Sequence, residues 1–234
     1  MSSDRFSLDE LIRFGDYSAP YDQVIESFSE DVTSDRVERI ESAIQGRSFD
    51  VVTVMEGLYD RGNISAVMRS CEAMGFLGVH IIELSDKFKE SQRVTKGADK
   101  WLNIEKWTET KPCLTELKSR GYKIVATHFD QAKPIFDFDF SEPTAIIFGN
   151  EKDGVTPEAL ELCDERMVIP MTGFVQSFNI SVAAAISLFH AHSDRIRRIG
   201  ESGNLSDIEK QILKAEYLVR AHVNPEKVFQ SLLK

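Results

Sequence analysis

The side chains best equipped for chemistry sit in three short stretches. The first is Asn63-Ile-Ser-Ala-Val-Met-Arg69, the second Gly149-Asn-Glu-Lys-Asp-Gly154 and the third Ser177-Phe-Asn-Ile-Ser181. The third opens a helical pattern running through Ala183–Ala185 toward Arg198, with Asn179 or Ser181 as its cap. The free N–H groups of a helix start attract a carboxylate or phosphate, and Ser177, Asn179 and Ser181 put three small polar side chains at that mouth. Each stretch also has an ordinary explanation. Capping accounts for Asn179 and Ser181, and turn chemistry for Gly149 and Gly154. Arg69 lies off the apolar stripe of Ile64, Val67, Cys71 and Met74, where a solvent-facing arginine is the usual finding.

The elements that must position these residues alternate. Val51–Met55, Gly78–Leu84, Lys123–Phe129, Thr144–Phe148 and Arg166–Met171 read as strands. Between them lie helical patterns: Asn63 as an N-cap with Gly75 as the stop, Pro112–Arg120, and Thr156-Pro157 leading into Glu158–Leu162. Ser34 caps an earlier helix closed by Gly46, and Ser206–Ala221 and Pro225–Leu233 close the chain as helices. Residues 1–33 mix aromatics with acids and read as a loosely ordered extension with a short helix at Leu8–Arg13. Ser85–Asn103 reads as a long polar loop. Strand–helix alternation over residues 51–198 predicts an α/β fold, a mainly parallel sheet with helices on both faces. Ligands of such sheets bind beyond the strands' carboxyl ends, which here carry Glu56, Thr127, Gly149–Glu151 and Met171–Asn179.

Composition bounds the rest. A chain of 234 residues suits one large α/β domain with appendages. No apolar run is long enough to span a bilayer, and no basic amphipathic presequence precedes the domain. Cys71, Cys113 and Cys163 are far apart and form no CxxC pair, which argues against zinc or a disulfide framework and for a reducing compartment. That compartment is the cytoplasm, or an organelle interior if a targeting peptide has been trimmed. No metal site is expected. The net charge of −10 argues against nucleic acid until its distribution is read. Residues 1–33 hold eight acids against Arg5 and Arg13, whereas Ser85–Trp101 carries Lys87, Lys89, Arg93, Lys96 and Lys100 against three acids. A local basic loop on an acidic protein can still hold a phosphate backbone. A dinucleotide oxidoreductase is excluded, because no GxGxxG follows the first strand.

Taken together, the three stretches resemble the SpoU/TrmH family of the SPOUT class of RNA methyltransferases. Asn63-Ile-Ser-Ala-Val-Met-Arg69 is similar to its Asn-x-x-Ala-x-x-Arg motif, and Phe148-Gly-Asn-Glu-Lys-Asp-Gly154 to Phe-Gly-x-Glu-x-x-Gly. Ile169-Pro-Met, followed by Ser177-Phe-Asn-Ile-Ser-Val-Ala183, resembles Ile-Pro-Met … Ser-Leu-Asn-x-Ser-x-Ala. The resemblance covers residues 33–198 and is nearest to the tRNA type, on Ser65-Ala-Val-Met-Arg-Ser-Cys-Glu-Ala-Met-Gly75 and Gly97-Ala-Asp-Lys-Trp101. Gly62 stands where a histidine is usual, and Asp153 where some tRNA enzymes have an aromatic.

The resemblance implies a methyltransferase domain with a deep trefoil knot at 33–200; composition and helical pattern leave an acidic extension at 1–32 before it and a helical extension at 201–234 after it. It implies S-adenosylmethionine held largely by backbone, with Thr127, Gly149, Asn150, Ile169, Met171, Ser177 and Phe178 on the cofactor. Arg69, Asn63, Glu151 and Asn179 would be the catalytic set, with Glu151 holding Arg69. The activity implied is 2′-O-methylation of guanosine 18 in the tRNA D-loop by a homodimer whose active site is shared between subunits. A ribosomal RNA ribose as the acceptor, or a binding module that has lost catalysis, are the alternatives.

Overall fold

The computed structural model describes residues 8–83 and 97–233. Contacts divide the chain into two units: Ser48–Ser202, and a smaller one in which the residues up to Arg47 join Gly203–Lys234.

The smaller unit begins with an antiparallel hairpin, β1 (Leu11–Phe14) and β2 (Tyr17–Pro20), and not with the expected helix at Leu8–Arg13. Phe14 pairs with Tyr17 across the two-residue loop Gly15-Asp16, with Gly15 at φ +58°, a conformation suited to a tight hairpin. Helices α1 (Tyr21–Glu30) and α2 (Ser34–Gln45) follow. From residue 8 onward the leader is therefore ordered rather than loose. Its buried Val24 and Phe28 supply the anchors that an acidic composition obscures.

The larger unit is built on a seven-stranded sheet. Its first half contains β3 (Val51–Glu56), α3 (Arg61–Ala73), β4 (Gly78–Ile82), a 3₁₀ turn at Ala98–Trp101, β5 (Asn103–Trp107) and α4 (Thr110–Ser119). Then come β6 (Lys123–Thr127), the short β7 (Lys133–Pro134), β8 (Thr144–Phe148), α5 (Pro157–Leu162), β9 (Glu165–Val168) and α6 (Ile180–Ile199). The strand order is β5-β4-β3-β8-β6-β9-β7, and every pairing is parallel. β3 and β8 bury every residue, as expected of central strands covered on both faces. Each fully buried Val or Ile there contributes roughly 1.5–3 kcal/mol. The β3–α3–β4 crossover runs toward one edge, while β5–α4–β6 runs toward the other. Since such crossovers are right-handed, α3 and α4 cover opposite faces. In keeping with this, α3 packs on α6, and α4 on α5.

The strands differ from expectation at the edges. β5 is an added edge strand that starts at Asn103, where the segment read as a loop ends, β7 is an added strand in the connection through Pro134, and β9 ends at Val168, releasing Ile169–Met171 into the loop before α6. The basic residues Lys87, Lys89, Arg93 and Lys96 lie outside the described residues.

The smaller unit closes with α7 (Asp207–Ala221) and α8 (Pro225–Leu232). A capping box starts α7: Ser206 accepts from the Glu209 amide, and the Glu209 carboxyl accepts from the Ser206 amide. Helices α1 and α2 both pack on α7, and Phe28 meets Phe229 edge-on at 5.3 Å. Gly203 is fixed by close approach, because a Cβ there would sit 2.1 Å from the Gln45 carbonyl oxygen.

Candidate functional site at the carboxyl ends of the strands

Strands β8, β6 and β9 are neighbours, so the loops that leave their carboxyl ends share one edge of the sheet. Thr127 closes β6, and its Oγ1 donates to the Ile147 carbonyl at 2.8 Å. Gly149 follows β8 directly. A Cβ there would lie 2.2 Å from the Gly154 carbonyl carbon and the Val155 nitrogen, so the turn can close only over a glycine. Asn150 and Gly154 exchange backbone bonds at 2.9 Å, with Gly154 at φ +72°. The Asn150 Oδ1 accepts from the Lys152 and Asp153 amides at 2.7 and 3.2 Å, and its Nδ2 donates to the Gly57 carbonyl at 2.9 Å. The turn is thus tied internally and to the end of β3, with Glu151 at its exposed tip.

Glu151 and Asn63, 88 residues apart in sequence, meet there: the Asn63 Nδ2 donates to the Glu151 Oε1 at 2.5 Å. Asn63 is not the cap of α3. Asp60 is, accepting from the Gly62 amide at 2.6 Å, and Asn63 sits within the first turn with its side chain available for Glu151. The expected Glu151–Arg69 pair is absent. Arg69 is exposed, six residues further along α3, and makes no hydrogen bond or ion pair among the described residues. At 100° per residue it lies about 120° around the helix from Asn63, too far for the two to share a partner on one face.

The third loop lies open beside these. Ile169 and Met171 are half-buried, Ser177 is exposed, and Phe178 is 38% exposed. Among the described residues the amides of 171–178 make no backbone hydrogen bond, which leaves a run of donors and carbonyls available to a ligand. Asn179 is the cap of α6. Its Oδ1 accepts from the Ser181 amide at 2.9 Å and the Ser181 hydroxyl at 2.5 Å, while its Nδ2 has no partner among the described residues.

This arrangement suits S-adenosylmethionine. Half-buried Ile169 and Met171 with Phe178 offer apolar walls for an adenine, and the unpaired loop amides offer donors for its polar edge. Gly149, Asn150 and Thr127 line the adjoining strand ends. Among the described residues no group of three or more His, Cys, Asp or Glu side chains converges as a metal site. Sequence reasoning noted Glu56 as a strand-end residue but gave it no part. The structure buries it to 1% exposure and surrounds it with hydrogen-bond donors.

Comparison with known proteins places this edge of the sheet in a family. Residues 50–189, which span all three motifs, match the SpoU rRNA Methylase family. A tRNA (guanosine(18)-2′-O)-methyltransferase of Aquifex aeolicus is 36% identical over 166 residues, 70% of this chain and 79% of the relative. The protein so named in Escherichia coli K12 is 33% identical over 198 residues, covering 82% of this chain and 86% of its own. The crystal structure of the A. aeolicus TrmH/SpoU tRNA modifying enzyme superposes with a TM-score of 0.71 at 32% identity, covering 79% of this chain and 95% of that one. The SpoU methyltransferase AviRb of Streptomyces viridochromogenes, solved with AdoMet, superposes at 0.59 with 26% identity, over 67% and 64% of the two chains. The parallel sheet, the three motif loops at its carboxyl edge and these relatives together establish that the chain belongs to the SpoU methylase family.

Proposed function

We propose that this chain methylates the ribose 2′-hydroxyl of guanosine 18 in the tRNA D-loop, using S-adenosylmethionine. The observation that carries the reading is the Asn63–Glu151 bond of 2.5 Å, which joins two motif loops beside the open 171–178 loop. The relatives named for this activity support it at 33–36% identity. The cofactor supplies a sulfonium-bound methyl group. The chain must bind the ribose, aim its hydroxyl in line with that methyl and accommodate the proton it loses.

Arg69 is assigned the hydroxyl. A guanidinium is a poor base, so its role is to orient the oxygen and stabilise the alkoxide charge that develops. Asn63, held by Glu151, positions the ribose, and the free Nδ2 of Asn179 offers a further donor. Thr127, Gly149, Asn150, Ile169, Met171, Ser177 and Phe178 hold the cofactor. Because Arg69 has no link to the Asn63–Glu151 pair within one chain, the site is read as completed by a second copy, making the enzyme a homodimer. The exposed stripe Val182, Phe189 and Ile196 on α6, repeating every seven residues, is an apolar face of the right kind for that contact. The reading also carries the trefoil knot, with the loop after β9 and α6 as the threaded segment. It places the enzyme in the cytoplasm or in an organelle that processes its own tRNA. No helix among the described residues is long and apolar enough to cross a membrane.

The test supplies labelled S-adenosylmethionine with unmodified tRNA and, in parallel, ribosomal RNA fragments, and maps the product by nuclease digestion. Label in the D-loop guanosine ribose is the expected result. Label confined to ribosomal RNA would replace the substrate, and label in neither would overturn the reading. Arg69→Ala should abolish turnover while cofactor affinity stays within about threefold, since its side chain acts on the acceptor and not on the cofactor.

A further inference from the structure

Glu56 is the last residue of β3 and points its carboxyl group into a site with 1% exposure. Its Oε1 accepts from the Thr110 hydroxyl at 2.6 Å and the Thr156 hydroxyl at 2.7 Å, and its Oε2 accepts from the Thr156 amide at 2.9 Å. Thr110 is the first residue of α4 and is itself 1% exposed, while Thr156 is the cap of α5, accepting from the Ala159 amide at 3.2 Å. One carboxyl group therefore ties the end of a central strand to the starts of two helices. A buried carboxyl group costs more than an apolar side chain of the same size, so bulk stability alone does not explain it.

Its position suggests what it does. Thr156 ends the turn that begins at Gly149, and the other end of that turn is held by Asn150 on the carbonyl of Gly57, the residue after Glu56. The dipeptide Glu56-Gly57 thus grips the Gly149–Thr156 turn at both ends. Glu151 stands at its tip, against Asn63. We propose that Glu56 is a positioning residue for methyl transfer: it fixes the turn so that the Glu151 carboxyl meets Asn63 in register. The inference rests on the methyltransferase reading. A displacement of about 1 Å at Glu151 breaks a hydrogen bond of this length and misplaces whatever Asn63 holds.

The experiment compares wild type, E56A, E56Q, E151Q and the E56A/E151Q double variant in the full-length protein. Turnover at saturating tRNA, KM for tRNA, S-adenosylmethionine affinity by calorimetry and amide exchange across residues 149–156 are measured for each. E56A is expected to lower kcat about 100-fold with KM and cofactor affinity within about threefold, and to speed exchange in the turn. E56Q should recover to within about tenfold of wild type, since an amide can accept from the Thr156 N–H and donate to both hydroxyls. The double variant should be no slower than E151Q alone, because both changes act through one contact. Additive losses in the double variant, or an E56A protein with lower Tm but wild-type kcat, overturn the proposal. If E56A does not fold, the exchange and kcat of E56Q decide: unchanged exchange with a lost kcat overturns it. A wild type that methylates no RNA sinks the methyltransferase reading, whereas unchanged exchange in the turn of active variants sinks the positioning role alone.

Discussion

Asn179 caps α6 and is proposed to hold a ligand as well, and a pair of substitutions can separate the two. Its Oδ1 caps α6 through the Ser181 amide and hydroxyl, and its Nδ2 has no partner among the described residues. Asn179→Ala should cost about 1 kcal/mol of stability, the usual value of a lost cap, and should lower methyl transfer as well. Asn179→Asp keeps the capping oxygen and removes only the donor. It should therefore unfold at the wild-type urea midpoint and still transfer methyl groups at least about tenfold more slowly. Wild-type turnover in the aspartate variant would leave Asn179 a cap and nothing more. The sequence shows the cap at this residue, because a capping asparagine is recognised by its place before a helical pattern. It misplaces Asn63 for the same reason. Asn63 is as good a cap by type as Asp60, but the Asp60 oxygen reaches the Gly62 amide and frees Asn63 to meet Glu151. The part of Glu56 has no local signature at all. Its partners lie 54 and 100 residues away, and only the fold brings them to it.

At the scale of elements, the central strands are legible because they are apolar on both faces, and Thr144–Phe148 falls where its composition puts it. The edge is not. β5 reads Asn-Ile-Glu-Lys-Trp, three of its five residues polar, and pairs on one side only, so nothing in five residues distinguishes it from a loop. The leader hairpin carries its signal in Gly15-Asp16, which the surrounding acids mask. The register of α6 depends on a buried polar tie far from the site. Arg195, with no exposure, donates to Asp50 just before β3 at 2.9 Å and to the Phe140 carbonyl at 3.0 Å. Beside it, burial pushes the Asp194 carboxyl up, but the hydrogen bonds it accepts from the Phe140 amide, Arg198 and Arg197 together hold its pKa below the ordinary carboxylate range. Asp50→Ala leaves the Arg195 guanidinium buried without its carboxylate, which should destabilise the protein by about 3–5 kcal/mol. Chemical denaturation of the purified variant measures this. A loss under about 1 kcal/mol would mean that the backbone carbonyls alone satisfy Arg195.

At the scale of the whole molecule, the open question is what covers the outer face of α6. Its inner face buries Ala184, Leu188 and Ala191 in the hydrophobic core. Its outer face leaves Val182 at 44%, Phe189 at 60% and Ile196 at 46% exposure. The spacing of seven keeps the three on one stripe, the pattern of a helix that meets another helix. If that stripe joins two copies, a charge at its centre must separate them. Phe189→Glu should therefore sediment as a monomer at concentrations where the wild type is a dimer. It should retain its fold, since the side chain is already exposed and contributes little to the core. Methyl transfer should fall with the dimer, because Arg69 is read as reaching its site from the second copy. Complementation tests that sharing directly. When Arg69→Ala and Asn179→Asp chains are co-expressed, half of the dimers are mixed and each mixed dimer has one intact site. Activity should then return to about a quarter of wild type, from two variants that are each slow alone. A Phe189→Glu protein that stays dimeric would move the interface elsewhere. Failure of complementation in a proven mixed dimer would mean that each chain carries a whole site.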